Sequence, residues 1–420
     1  MYKLKIDGGN RLNGSLKIST SKNAILPILS ACILIDDEVE ILDFPHFSDC
    51  YAMLDILQNF GAKISFTKNS VIVNCKNINS YLVDTFLAEK MRSSFFTFGA
   101  ILARVGKAVY SYPGGCNIGA RPIDIHLKAF RELGVHIVER HGYIYAQKEQ
   151  FFAKDIYLDF QSVGVTENVM MLCACLDGTT IVHNCAKEPE IVDLQNFLNL
   201  AGANISGAGT ERIVIKGVNK LLHSVKYKCI GDRIIAGTYL IGAACTGGDI
   251  TLKNVNFNHL QDVINKLSLS GCKIVKGNNY IQLKNDKKLQ SLPYIQTMPY
   301  PFFPTDLQAQ ITAMQCISLG SSVVVENIFE SRFNYVPQLV KMGANIKVKN
   351  NIAMITGVDT LYGADVFATD LRAGASLVIA GLCAKGYTTV YNVHYIDRGY
   401  DSIESDLSCL GAKIIREKKE

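Results

Sequence analysis

Phe60-Gly61-Ala62-Lys63-Ile64 is a phrase that the chain repeats five more times. The echoes are Leu133-Gly134-Val135-His136-Ile137, Ala201-Gly202-Ala203-Asn204-Ile205, Ser270-Gly271-Cys272-Lys273-Ile274, Met342-Gly343-Ala344-Asn345-Ile346 and Leu410-Gly411-Ala412-Lys413-Ile414. Each closes an amphipathic segment, as Val263, Ile264, Leu267 and Leu269 do before Gly271. A glycine just past the last apolar turn is the left-handed C-cap signal, and the β-branched residue after it opens a strand. The glycines lie 73, 68, 69, 72 and 68 residues apart.

A second feature recurs in phase. Apolar helical runs near 24–35, 94–103, 168–176, 236–245, 308–318 and 375–383 each lead through a short turn into a strand. Such strands include Val39-Glu40-Ile41, Thr180-Ile181-Val182, Asp249-Ile250-Thr251-Leu252, Val323-Val324-Val325 and Thr388-Thr389-Val390. Further strands, such as Val71-Ile72-Val73 and Ile213-Val214-Ile215, follow most of the glycine phrases. The unit is therefore helix, strand, helix, strand, in an α/β fold. Its period exceeds the 20–50 residues of a solenoid and suits one helix-and-sheet layer. Six units in two groups of three give two domains of about 200 residues each. An open repeat scaffold is the alternative. It fits less well, because helices apolar nearly all round must be buried on several sides.

Composition narrows the function. Of 420 residues, 19% are charged and 48% hydrophobic, which is globular rather than disordered. A net charge of +5 without a Lys/Arg-rich tract, apart from the tail at Arg416 to Lys419, does not suggest nucleic-acid binding. It does fit a positive cleft for a small anion. The longest apolar run, Ala24 to Ile35, is interrupted by Pro27 and Ser30 and is too short to span a bilayer. The first residues alternate like a strand and lack a signal peptide's apolar core, so a cytoplasmic location is expected. The 13 cysteines show no CxxC pair, the closest two being Cys173 and Cys175. That pattern reads as reduced thiols, most of them core filler, with no metal spacing.

One loop breaks the pattern. The run Ser111-Tyr112-Pro113-Gly114-Gly115-Cys116-Asn117-Ile118-Gly119-Ala120-Arg121-Pro122-Ile123-Asp124 follows the strand-like Ala108-Val109-Tyr110. Its glycines give backbone freedom and close approach to a ligand, and Pro122 suits the first turn of a helix. Cys116 and Arg121 thus precede a helix start, where unpaired N–H groups favour an anion. A turn with a buried cysteine is the plainer reading of an isolated Gly-Gly-Cys.

Charged residues also mark the other helix starts: Lys22, Arg92, Arg233, Arg332, Arg372 and Arg398. Capping accounts for Asp306 and Asp370. It does not account for the arginines, which oppose the helix dipole. Together with Arg121 they read as a cluster that awaits phosphate or carboxylate, groups that arginine binds bidentately.

These residues resemble the UDP-N-acetylglucosamine 1-carboxyvinyltransferases, the enolpyruvyl transferases of the first committed step of peptidoglycan synthesis. The resemblance runs essentially end to end. It rests on Gly8-Gly9, Lys22-Asn23-Ala24, Pro113-Gly114-Gly115-Cys116, Gly119-Ala120-Arg121-Pro122 and Ser162-Val163-Gly164. Lys187-Glu188-Pro189-Glu190-Ile191-Val192-Asp193, Pro304-Thr305-Asp306-Leu307-Gln308-Ala309-Gln310, Asp370-Leu371-Arg372-Ala373 and Asp397-Arg398-Gly399-Tyr400 complete it.

The resemblance implies two inside-out α/β barrel domains of three repeats each, with the active site in the interdomain cleft. The domains would span 22–230 and 1–21 with 231–420, the N-terminal strand crossing back to complete the second. It further implies transfer of the enolpyruvyl group of phosphoenolpyruvate to the 3′-hydroxyl of UDP-N-acetylglucosamine, with release of phosphate. Asp306 would be the base, and Cys116 the acid and the residue able to hold a covalent adduct. Lys22, Arg121 and Arg398 would hold phosphoenolpyruvate. Asn23, Arg92, Arg121, Pro122, Ile123, Asp124, Ile125, Ser162, Val163, Gly164 and Ile328 would meet the nucleotide sugar, with Arg332, Asp370 and Arg372 shaping the site. No cofactor, metal, nucleic acid, membrane or obligatory protein partner is implied. Thr20-Ser21, Phe160 and Phe303 depart from the family's usual residues. A related transferase acting on shikimate 3-phosphate or another uridine nucleotide, or a non-catalytic paralogue, is the alternative; the Gly-Gly-Cys loop argues against the shikimate enzyme.

Overall fold

The computed structural model describes residues 2–90, 92–112 and 123–418. The chain divides between Ser19 and Thr20 and again between Ile230 and Gly231. One unit, the N-terminal unit below, holds 20–112 and 123–230; the C-terminal unit holds 2–19 and 231–418.

Each unit contains three sheets built to one plan. A short strand lies parallel to a central strand, which pairs antiparallel with a hairpin. In the first repeat Val225–Tyr227 runs parallel to Glu38–Leu42, followed across the sheet by Ser70–Asn74 and Lys63–Phe66. In the second, the parallel neighbour of Lys107–Ser111 is the single bridge Leu82 to Val109. The sixth sheet takes its missing arm from the chain's beginning. There Tyr2–Asp7 lies between Tyr387–Tyr391 and Lys413–Lys418, with Leu4 opposite both Val390 and Arg416. Asn13–Lys17 likewise supplies the parallel strand beside Asp249–Lys253. Strand residues alternate between buried and exposed, so each sheet has one inner and one outer face.

Helices fill the interior. In the C-terminal unit Arg233–Thr246, Gln308–Gln315 and Leu371–Cys383 pack against one another. Every residue from Leu371 to Leu382 is buried, including Leu377, Val378, Ile379 and Leu382. Each such apolar side chain contributes about 1.5–3 kcal/mol. In the N-terminal unit Thr97–Val105 packs on Lys22–Ala31 and on Val163–Ala174. Helices are thus inside and sheets outside. Among the described residues the three sheets of a unit share no strand, so the outer layer is three open sheets rather than one closed ladder.

The repeat glycines adopt the backbone that the phrase requires. Gly61, Gly134, Gly202, Gly271, Gly343 and Gly411 have φ between +91° and +108°, each between an outer helix and the next strand. At Gly134 a Cβ would also lie 2.0 Å from the Gln150 carbonyl oxygen, so no other residue fits. No helix among the described residues is long and apolar enough to cross a membrane.

Candidate active site

The starts of the interior helices carry the charged residues. In the C-terminal unit, Asp370 caps Leu371–Cys383, its Oδ1 accepting from the Arg372 and Ala373 amides at 2.9 and 3.1 Å. Asp232 caps Arg233–Thr246 in the same way, accepting from Ile234 and Ile235 at 2.7 and 2.9 Å. Asp306 departs from the capping expectation. It sits inside a 3₁₀ turn, Thr305–Leu307, one step before Gln308–Gln315, and no side chain caps either element. The turn carries its carboxylate away from the helix amides to two guanidiniums. Arg372 Nη2 donates to Asp306 Oδ2 at 2.6 Å and Arg332 Nη2 to Oδ1 at 3.2 Å. Arg332 Nη1 also lies 3.8 Å from Asp370 Oδ1.

Burial sorts these four residues. The side chains of Arg332, Arg372 and Asp370 are 3–5% exposed, whereas that of Asp306 is 27% exposed. A reachable carboxylate therefore rests on a buried cationic bed. Burial works against the charge of Arg372. Asp306, with Tyr400 and Asp232 nearby, outweighs that cost and raises its pKa, so the guanidinium is permanently charged. Arg398 does not mark a helix start as expected: it is the half-buried last residue of the 3₁₀ segment Val393–Arg398, which packs on Leu371–Cys383, and the next helix begins only at Ile403. Phe303 is buried beside a bridge to Thr297.

The N-terminal unit assembles a second group. Lys22 is the first residue of its helix, and its Nζ lies 2.8 Å from Asp49 Oδ2, in the first turn of Ser48–Asn59. Asn23 follows it, half-buried. Thr20 donates to the Asp43 carbonyl at 2.8 Å, and the Ser21 amide to Ile230 at 2.8 Å. Arg92 opens the 3₁₀ segment Arg92–Phe96. Ser162 is the N-cap residue of Val163–Ala174, and a Cβ on Gly164 would meet Phe96 at 3.2 Å and His126 at 3.4 Å. His126 is pushed down to about 3 by burial and then by the Arg92 charge, so it is neutral at pH 7. Arg92, His126 and the 162–164 segment thus come together, with the Phe95 ring edge-on to His126 at 5.1 Å. Ile123 is the buried N-cap residue of Asp124–Glu132, with Asp124 exposed and Ile125 half-buried. Among the described residues this helix spans Asp124–Glu132. Phe160 is exposed. Cys116, Arg121 and Pro122 lie outside the described residues.

The profile of EPSP synthase (3-phosphoshikimate 1-carboxyvinyltransferase) matches residues 6–407. The chain belongs to this family of enolpyruvyl transferases. It is 48% identical over 416 residues to UDP-N-acetylglucosamine 1-carboxyvinyltransferase 2 of Caldanaerobacter subterraneus subsp. tengcongensis, covering 99% of this chain and 100% of that one. It is 45% identical over 419 residues to the protein of the same name in Clostridium acetobutylicum, with both chains covered in full. Among solved structures, the enolpyruvyl transferase NikO from Streptomyces tendae superposes with a TM-score of 0.89 at 23% identity, over 100% of this chain and 99% of that one. EPSP synthase from Acinetobacter baumannii gives a TM-score of 0.75 at 17% identity over both full chains. These last two likenesses establish the fold.

Three residues of this family member were not singled out by sequence reasoning. Asp49 pairs with Lys22, but in sequence it is an ordinary acid in a first helical turn. His126 carries no local signal, since only the fold brings it to Arg92 and Gly164. Glu326, 2% exposed, follows the strand Ser321–Val325 and accepts from Thr305, next to Asp306, and from the Ile328 amide. Its one hint is a lone acid after three valines. The described cysteines behave as core filler for the most part. Burial pushes Cys75, Cys173, Cys175, Cys185 and Cys272 up to about 12, leaving inert thiols.

Proposed function

We propose that the chain transfers the enolpyruvyl group of phosphoenolpyruvate to the 3′-hydroxyl of UDP-N-acetylglucosamine, releasing phosphate. The observation that carries this reading is the partly exposed Asp306 carboxylate on the buried Arg332 and Arg372 guanidiniums. The carboxylate side chain is 27% exposed, so a substrate hydroxyl can reach it to deliver its proton. The guanidiniums fix the carboxylate's plane, and Asp370 fixes Arg372 by capping its helix. The names of the relatives identical at 42–48% support the same acceptor.

Lys22, Arg121 and Arg398 are the cations assigned to the phosphate and carboxylate of phosphoenolpyruvate, where they stabilise charge as the C–O bond breaks. Asn23, Arg92, Ile123 to Ile125, Ser162 to Gly164 and Ile328 are assigned to the nucleotide sugar. Neutral His126, within the electrostatic reach of Arg92, adds no competing charge there. Cys116 is assigned as the proton donor to C3 of the enol ether and as the site of a covalent adduct, making it the target of epoxide phosphonates of the fosfomycin type. Such a reaction belongs to cell-wall synthesis in the cytoplasm.

Phosphate release from phosphoenolpyruvate, measured with UDP-N-acetylglucosamine, other uridine nucleotides and shikimate 3-phosphate, tests the assignment. Release with UDP-N-acetylglucosamine alone is expected. Release with shikimate 3-phosphate alone would replace this reading with the reaction for which the family profile is named.

A further inference from the structure

We propose that Glu326 is a positioning residue: its single buried carboxylate clasps the turn that carries Asp306 to the loop that carries Ile328. The inference rests on the function proposed above, for which Asp306 is the base and Ile328 a sugar-nucleotide contact.

The two oxygens of Glu326 hold different segments. Oε2 accepts from the Thr305 hydroxyl at 3.0 Å. Oε1 accepts from the Ile328 and Phe329 amides at 2.8 and 3.2 Å. The residue is itself anchored, because its amide donates to the Asn351 carbonyl at 2.9 Å and its carbonyl accepts from Asn351 Nδ2 at 3.1 Å. Asn327, the first residue of the loop, is tied to Thr297 by its amide at 3.0 Å and its Nδ2 at 3.1 Å. Arg332 closes the other side of the turn, donating to the Thr305 carbonyl at 3.0 Å as well as to Asp306. Thr305 is therefore gripped by both its hydroxyl and its carbonyl.

Glu326 is 2% exposed and both of its oxygens are engaged, so it acts through its neighbours rather than on the substrate. A base in a flexible turn samples many distances to the hydroxyl it must deprotonate. A displacement of about 1 Å costs on the order of a hundredfold in rate. Tying that turn and the loop to one rigid group removes much of this freedom.

Alanine at 326 removes both arms. Glu326→Gln keeps them, since the amide oxygen accepts from the loop amides and the amide N–H₂ donates to a reversed Thr305 hydroxyl. Thr305→Val removes one arm and Thr305→Ser restores it. Hydrogen exchange of residues 305–307 and 327–329 reads the clasp directly, and kcat and KM per mole of folded protein read its effect. In Glu326→Ala, protection should fall in both segments, kcat should drop about a hundredfold, and KM for UDP-N-acetylglucosamine should rise. Glu326→Gln should stay within about fivefold of the parent in kcat. Thr305→Val should lower kcat more than it raises KM, and Thr305→Ser should recover it. Unchanged protection in Glu326→Ala, or a Glu326→Gln as impaired as alanine, would overturn the clasp. Should Glu326→Ala not fold, equal kcat in Thr305→Val and Thr305→Ser would overturn it instead. An inactive parent enzyme would sink the function reading alone, because hydrogen exchange judges the clasp without turnover.

Discussion

Asp306 in the C-terminal unit and Glu167 in the N-terminal unit are both carboxylates associated with interior helices, and their surroundings differ. Asp306 meets Arg372 at 2.6 Å and Arg332 at 3.2 Å and keeps an edge toward solvent. Glu167, within Val163–Ala174, is fully buried, and neither of its oxygens has a hydrogen-bond partner among the described residues. Burial raises its pKa well above the usual carboxylate range, and the nearby Glu190 and Glu188 raise it further. A buried acid needs a cation or a proton, since an unpaired charge costs too much. The first solution answers the carboxylate with guanidiniums; the second favours its protonated form. Asp232 shows a third solution, in which a helix start supplies two amides.

The largest effect should come from the paired acid. Asp306→Asn preserves the shape of the side chain but cannot take a proton. Turnover should fall about 10³-fold or more. Binding of UDP-N-acetylglucosamine should stay within about tenfold, equivalent to about 1.4 kcal/mol. Phosphate release and calorimetric titration measure the two quantities separately. Full turnover in the variant would place the base elsewhere and reduce Asp306 to a structural ion-pair partner.

Removing the cation instead tests the pairing itself. Arg372→Met removes the shorter of the two guanidinium contacts to Asp306. Breaking a buried pair costs about 3–5 kcal/mol, and the partial exposure of Asp306 places this case near 3 kcal/mol. Urea unfolding gives the value. A loss within experimental error would mean that the buried guanidinium is not answered chiefly by Asp306.

The unpaired acid should show itself through pH. Glu167 has a raised pKa when folded, so the native state binds its proton more tightly than the unfolded chain does. Its contribution is complete below the unfolded value of about 4.3 and is lost as pH rises toward the folded value. Glu167→Gln abolishes that loss. Its stability relative to the parent should therefore increase with pH by up to about 1.4 kcal/mol per unit above pH 4.3. Asp193 is likewise raised by burial, to about 6, despite bonds from the Tyr227 hydroxyl and the Ile230 amide. It loses stability in the same direction but only up to about that pH, and it is common to both proteins. Parallel stability–pH curves for parent and variant would show that Glu167 does not titrate differently in the fold.

How much of this was legible beforehand depended on distance along the chain. The cap glycines were readable because a helix end and the strand after it are adjacent, and each glycine has the required positive φ. The interior helices were readable because residues apolar on all sides need cover on all sides. The pairing of Leu4 with Val390 was not, since nothing near Tyr2–Asp7 marks its partner; only the family resemblance implied it. Asp306 was legible as an acid before a helix, but the 3₁₀ turn that carries it past the capping position was not. Glu326 offered only the hint of a lone acid after three valines and His126 none, because Thr305 and Arg92 are brought to them by the fold.

The third solution gives the smallest effect and the finest test of the comparison. Asp232 is 2% exposed and its Oδ1 accepts from Ile234 and Ile235 at 2.7 and 2.9 Å. If those amides are its main answer, Asp232→Asn should cost no more than about 0.5 kcal/mol, because asparagine caps as well as aspartate. Asp232→Ala should cost about 1 kcal/mol, as the amides at the helix start lose their acceptor. Asp232 also contributes to the charge balance of Arg372, so the negative charge has a rival claim. Urea unfolding of both variants separates the two. Equal losses would assign the stabilisation to charge and place Asp232 with Asp306. A gap of about 0.5 kcal/mol or more in favour of asparagine would assign it to the helix amides.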